Sequence, residues 1–345
     1  MPRHFLVTPA KAGVYCWQFS GFPPTRESLG VTEQESKPGA VQLAVSEQST
    51  SETVMDGQPM EHRFENLPLV LVTGQARSGT TVLTHAFAAH PQIHSNLKES
   101  SIIGDTAAVL RVNLDKPGRR RDLTITPGEL ALNMRRFLLH SLFPSPDSPD
   151  LKDQDLGSDF PLAMSTFSSL RVEDLDFVCQ LFPRLVIANI YRNGVEVVAS
   201  RMTHSHIGPQ FEFEQHCVAW SHARDSVQWG AEKPNFVPFP HHELLDRSKT
   251  NLLFKQALDQ IGILEVDACV DFVHSNVINT NNSPSIELVQ GDTKSNARLA
   301  KRVDRWRQWT VQQRETFELK CGATMNYFNF ELPWRQLPVF ESKSI

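Results

Sequence analysis

No stretch of this chain approaches the ~18–20 consecutive apolar residues that a membrane span requires. Residues 1–30 also lack the charged start and continuous apolar centre of a secretory signal. The expectation is a soluble, cytoplasmic protein with no membrane span. Cysteine is sparse and scattered: Cys16, Cys179, Cys217, Cys269 and Cys321 include no Cys-x-x-Cys pair. That distribution indicates neither a zinc site nor a compact disulfide framework, so the cysteines read as mostly buried thiols. Positive charge is not in excess. The formal net charge is −5, so the chain is not built to coat nucleic acid. His204-x-His206 could begin a metal site, but no third ligand stands at a characteristic spacing. No metal is expected.

The missing residue that says most is a lysine. Leu67–Pro91 reads LPLVLVTGQARSGTTVLTHAFAAHP. Its run Leu69-Val70-Leu71-Val72 predicts a strand buried on both faces. Gly74 and Gly79 bracket the loop Gln75-Ala76-Arg77-Ser78. Thr80 and Thr81 open a helix with Val82, Leu83, Ala86 and Phe87 as its apolar positions. The helix must stop near His90, because Pro91 disfavours helical geometry just before it. A glycine loop feeding a helix N-terminus aims unpaired N–H groups and a positive dipole end at one point, which suits a phosphate or similar oxyanion. The loop nearly matches G-x-x-x-x-G-K-[ST], but Thr80 stands where a nucleotide triphosphatase needs its lysine. The cation has moved inside the loop, to Arg77.

A second segment, Leu181–His204, repeats the plan. Leu185–Tyr191 predicts a buried strand, Asn193-Gly194 a turn, and Val195–Met202 a helix with Val195, Val198, Ala199 and Met202 on one face. Arg192 therefore ends a strand, at the edge where open α/β sheets bind ligands. Ser200 follows two helical turns on. An arginine suits a phosphate because its planar fork can donate two hydrogen bonds. A kinase would want an acidic metal ligand at this strand end; Tyr191-Arg192 repels Mg²⁺.

Gly74-Gln-Ala-Arg-Ser-Gly-Thr-Thr81 resembles the phosphosulfate-binding loop of the sulfotransferases, which carry a basic residue followed by Ser-Gly-Thr-Thr. Arg192 and Ser200 match the pair that in this family shares the 3′-phosphate of the donor. The resemblance extends over about residues 64–335 and is nearest to the soluble bacterial-type and tyrosylprotein-like branches. It implies a P-loop-type three-layer α/β/α sandwich with a central parallel sheet. It also implies the co-substrate 3′-phosphoadenosine 5′-phosphosulfate, bound by Gly74, Arg77, Ser78, Gly79, Thr80, Thr81, Arg192 and Ser200, with Arg77 also catalytic. Golgi relatives carry a membrane anchor; none is expected here. In several branches a Glu shortly after the first helix is the base. Glu99 is the first choice for that role, one residue displaced from the tyrosine-branch spacing, with His94 and Lys98 as runners-up. The catalytic Lys of the tyrosine branch is missing from Met164–Leu170, which argues against tyrosine sulfation.

The implied activity is sulfuryl transfer to an acceptor hydroxyl on a small molecule or glycan. A carbohydrate or glycoconjugate is slightly favoured because Phe211, Phe213, Trp220 and Trp229 could stack on a sugar ring; core packing explains them as well or better. The alternatives are a catalytically impaired nucleotide-binding module on the same fold, or a P-loop kinase.

The domain is expected over 63–345, after an N-terminal extension, 1–62, whose polar stretch Thr25–Gln58 reads as poorly ordered. Thr126-Pro-Gly-Glu129 is a capping box opening a helix with Leu130, Met134, Phe137 and Leu138 on one face. Lys116–Arg121 is a basic cluster, either a solvated loop or a contact for an anionic acceptor. Val237–Leu245 loosely resembles the family's strand and Y-E-x-L turn: Glu243 and Leu245 match, and His242 fills the Tyr place. His241 and His242 are expected to be structural. Lys294, Arg298, Lys301 and Arg302 precede a segment, from Asp304 to Phe330, that resembles the family's C-terminal helices. A basic stretch near there closes over the donor in relatives.

Overall fold

The computed structural model describes residues 68–114, 126–143, 161–166, 170–278, 288–290 and 304–335. The expected N-terminal extension, the Lys116–Arg121 cluster and Lys294, Arg298, Lys301 and Arg302 lie outside them.

The elements in chain order are β1 (Leu69–Gly74), α1 (Thr80–Ala88), β2 (His94–Ser100), α2 (Ile102–Leu114), α3 (Pro127–Leu142), β3 (Leu162–Thr166), α4 (Val172–Leu181), β4 (Leu185–Tyr191), α5 (Gly194–Met202), α6 (Phe213–Ser221), α7 (Ala223–Gly230), β5 (Phe236–Pro240), α8 (Arg247–Asp259), α9 (Asp267–Ser275), the small pair β6 (Asn276–Ile278) and β7 (Leu288–Gln290), and α10 (Val311–Tyr327). Strands β1 to β5 form one sheet in the order β2-β3-β1-β4-β5. Every pairing in it is parallel.

Strand period two divides the buried residues between two layers. Val70, Val72, Ala163, Val186, Ala188 and Ile190 pack under Leu83, Phe87, Phe254 and Val270 of α1, α8 and α9. Leu69, Leu71, Leu162, Met164, Leu185 and Ile187 pack against Ile103, Leu138, Leu175 and Val178 of α2, α3 and α4. The result is the expected three-layer α/β/α sandwich. A third cluster joins α5, α6 and α10 around Trp220, Trp306, Trp309 and Phe317.

The strand order fixes where a ligand can bind. After β1 the chain crosses to β2 on one side, then returns through β3 and passes to β4 on the other. The switch lies at the carboxyl end of β1, the usual ligand crevice of such sheets. The Thr126 capping box is formed: Glu129 N donates to Thr126 Oγ1 at 3.2 Å and Thr126 N to Glu129 Oε2 at 2.7 Å. Phe137 is an exception on α3, half exposed while Leu138 is buried.

Candidate active site

The loop after β1 needs two left-handed residues and one close approach. Arg77 has φ 79° and Gly79 has φ 112°. A side chain at Gly74 would place its Cβ 2.3 Å from the Ile190 carbonyl oxygen of neighbouring β4, so only glycine fits. Ser78 N donates to Gln75 O at 2.9 Å, closing the turn, and Leu83 N donates to Gly79 O at 3.1 Å, starting α1. Ser78 is fully buried, and its hydroxyl has no hydrogen-bond partner.

The second motif is held as firmly. Asn193 caps α5 by accepting from Val195 N at 2.9 Å. Trp220 Nε1 donates to the Arg192 carbonyl at 3.1 Å. The indole lies so close to Gly194 that an added Cβ would sit 2.7 Å from its ring. Gly194 therefore lets a core tryptophan fix the strand end that carries Arg192. The Arg192 guanidinium is paired with Glu196, one helical turn on, with Nε 2.6 Å from Oε2.

The two motifs meet. Arg77 Nε donates to Ser200 Oγ at 3.1 Å, across a sequence separation of 123 residues. Glu99, at the carboxyl end of β2, joins them. Its Oε1 accepts from Thr80 Oγ1 at 3.0 Å and Thr81 Oγ1 at 2.9 Å. A carboxylate is favoured there by the positive end of α1. Gly74, Arg77, Ser78, Gly79, Thr80, Thr81, Glu99, Arg192 and Ser200 thus gather at one edge of the sheet.

His94 does not join them. It pairs with Leu162 at the opposite end of β2, three ladder positions before Glu99 opposite Ser165, roughly 10 Å away at the usual ~3.3 Å rise per residue. Its ring lies 6.0 Å from that of Phe143, and burial lowers its pKa. The Lys98 side chain is outside the described residues. Three of the four aromatics that could stack on a sugar are committed to packing. Trp220 is fully buried; Phe213 packs edge-on against Trp309 at 5.1 Å; Trp229 packs edge-on against Phe236 at 6.0 Å. Phe211 alone of the four stays substantially exposed. In the 243–245 turn Leu244 is the buried residue and Leu245 is exposed.

Three residues at or beside the site were not singled out as such by the sequence. His241 N donates to Tyr191 O at 2.8 Å, and its ring carbon lies 3.1 Å from where a Gly79 Cβ would stand. Burial, then the charge of Arg192, then His242, push its pKa down to about 3, so the ring is neutral. Its position becomes legible only once β5 is known to pair with β4. Arg201, beside Ser200, is buried with Nε 3.3 Å from Nδ1 of buried His216. Arg305 Nη1 donates to Thr203 Oγ1 at 2.7 Å, at the end of α5.

A model of the sulfotransferase family matches residues 68–244. The chain belongs to the sulfotransferase family. The match begins just before β1 and ends just beyond β5, so it contains every residue gathered above. Among solved structures, the chain is similar to the sulfotransferase domain of the Synechococcus PCC 7002 olefin synthase, at 15% identity and TM-score 0.43, covering 78% of this chain and 96% of that one. It is also similar to the sulfotransferase domain from the curacin biosynthetic pathway, at 10% identity and TM-score 0.43, covering 78% and 100%. A sulfotransferase from Alicyclobacillus acidocaldarius aligns at 14% identity and TM-score 0.37, covering 78% and 99%. No curated protein sequence matches the chain. The family assignment rests on the family model. No helix among the described residues is long and apolar enough to cross a membrane.

Proposed function

We propose that this sulfotransferase uses 3′-phosphoadenosine 5′-phosphosulfate as donor and transfers its sulfuryl group to an acceptor hydroxyl. The observation that carries this reading is the Arg77–Ser200 contact. It joins a phosphate-type loop without a lysine to a second cationic strand end, and two anion sites within reach of each other suit a nucleotide phosphorylated at both its 3′ and 5′ positions.

The chain's groups fit that donor. The loop N–H groups at the head of α1, with Arg77 and the unpartnered Ser78 hydroxyl, suit the 5′ end. Arg192 and Ser200 suit the 3′-phosphate. The donor supplies an activated sulfuryl group; the protein supplies position and charge. Negative charge grows on the oxygen that leaves with the nucleotide, and Arg77 and the helix N–H groups are aimed to stabilise it. The acceptor hydroxyl gives up its proton as its oxygen bonds to sulfur. Glu99 is the carboxylate at hand to take it.

The acceptor is proposed only as a hydroxyl on a small molecule or glycoconjugate. Trp220, Phe213 and Trp229 serve packing, so the aromatic argument for a sugar falls to Phe211 alone. The test is a transfer screen with ³⁵S-labelled donor against sugars, lipids, phenols and tyrosyl peptides. Label should pass to at least one hydroxyl class, and E99Q should abolish it. A protein that binds the nucleotide but labels nothing across the screen would be a binding module instead.

A further inference from the structure

Strand β2 does not run straight to Glu99. Where β3 advances from Ala163 to Ser165, β2 advances from Ser95 to Glu99, so two extra residues are accommodated between the paired positions. A regular ladder would set Leu97 opposite Ser165. Glu99 would then stand two residues farther on, about 7 Å at the ~3.3 Å rise of a strand. Because strand side chains alternate with period two, Leu97 and not Glu99 would face Thr80 and Thr81. The bulge therefore exchanges a leucine for a carboxylate against the phosphate-type loop.

Two residues hold the bulge. Leu97 adopts φ 53°, a left-handed conformation that a bulky side chain rarely takes. Its side chain is substantially exposed, so burial does not explain the strain; a turn that must consume residues does. The turn is closed by Leu97 N, which donates to Ser95 Oγ at 3.2 Å. Asn96 Nδ2 donates to the carbonyl of Leu142 at 2.8 Å. Leu142 is the last residue of α3, where helix carbonyls lack a partner within the helix.

We propose that the Asn96–Lys98 bulge is the device that sets Glu99 against the loop, with Asn96 and Leu97 as positioning residues that act through it. This rests on the reading of the site as a donor-binding and sulfuryl-transfer site. It adds that Glu99 reaches the site only through a strained insertion tied to α3.

The test is a double-mutant cycle that needs no acceptor. Wild type, L97V, E99A and L97V/E99A are compared for affinity to 3′-phosphoadenosine 5′-phosphate by calorimetry and for resistance to urea. Valine is β-branched and resists the left-handed conformation, so L97V should withdraw the bulge and Glu99 with it. In the native bulge, E99A removes a negative charge from beside an anion site and should tighten the nucleotide roughly fivefold. In L97V the same change should do nothing. L97G accepts the backbone conformation and should restore the full effect of E99A. N96A removes the anchor without backbone strain and should shrink that effect. A general loss of structure would not produce this pattern, because it would leave the effect of E99A alike in both backgrounds. Equal effects of E99A in wild type and L97V would overturn the proposal. Should wild type fail to bind the nucleotide, the donor reading falls. The urea arm then decides, since Glu99 must still be coupled to Leu97 through its bonds to Thr80 and Thr81.

Discussion

Replacing Arg192 with alanine should erase one specific preference and little else. Adenosine 5′-monophosphate and 3′-phosphoadenosine 5′-phosphate differ only in the 3′-phosphate, so the ratio of their dissociation constants reads that contact alone. A hydrogen bond to a charged group contributes about 1.5–3 kcal/mol. Two features of the structure place Arg192 at the low end. Its side chain is 27% exposed, which lets solvent screen it. Glu196 also already shares the guanidinium. The expected loss is therefore about 1.5 kcal/mol, a little over tenfold in affinity, for the 3′-phosphorylated nucleotide. The monophosphate should change by less than about twofold. Alanine leaves the Glu196 carboxylate unpaired near the incoming phosphate, which would exaggerate the loss. The double variant R192A/E196Q removes that repulsion and should recover part of it. Calorimetry of both nucleotides against all three proteins is the assay. Equal weakening of both nucleotides, or none, would refute the assignment of Arg192 to the 3′-phosphate.

R77A should act on turnover more than on binding, because the proposed mechanism sets its charge against the leaving oxygen. Losing one such stabilising group costs on the order of 2–4 kcal/mol of barrier, seen as a fall in kcat with a smaller change in donor KM; wild-type kinetics would mean that the site is misplaced. G74A drives a methyl into the Ile190 carbonyl and should lower stability by about 1–3 kcal/mol, read as a lower urea midpoint. His216 gives a pH prediction. Burial, then the charge of Arg201, lower its pKa to about 4. The folded state thus resists a proton that the unfolded chain accepts near pH ~6.5, so its contribution is present above that pH and is lost as pH falls towards 4. Urea midpoints should drop across that window, and H216Q, which keeps an acceptor for Arg201, should flatten the drop.

Much of this site was legible because its parts are local. The strand runs before Gly74 and Arg192, the helix after Thr80 and the eight-residue step to Ser200 need no knowledge of the rest of the chain. The shared edge followed from both motifs lying at carboxyl strand ends. What could not be read depends on partners distant in sequence. His241 comes beside Gly79 only because β5 lies next to β4. The two-residue insertion that delivers Glu99 is defined by its pairing with β3, more than sixty residues away, and a sequence window around Glu99 does not contain it. A sequence window does not say which end of β2 faces the loop, so it cannot separate His94 from Glu99. The aromatics are ambiguous for another reason. A tryptophan on a helix after a phosphate motif suits a sugar wall or a core equally well, and the close approach of Gly194 to the Trp220 ring decides for the core.

The proposed donor carries two phosphate positions and binds at a loop that lacks the triphosphatase lysine. Isothermal calorimetry of the full chain with 3′-phosphoadenosine 5′-phosphate, and separately with ATP and Mg²⁺, tests it most directly. Binding of the first should be saturable and binding of the second at least tenfold weaker, with no Mg²⁺ requirement. No heat with the first nucleotide at millimolar concentration, or equal affinity for ATP, would contradict it.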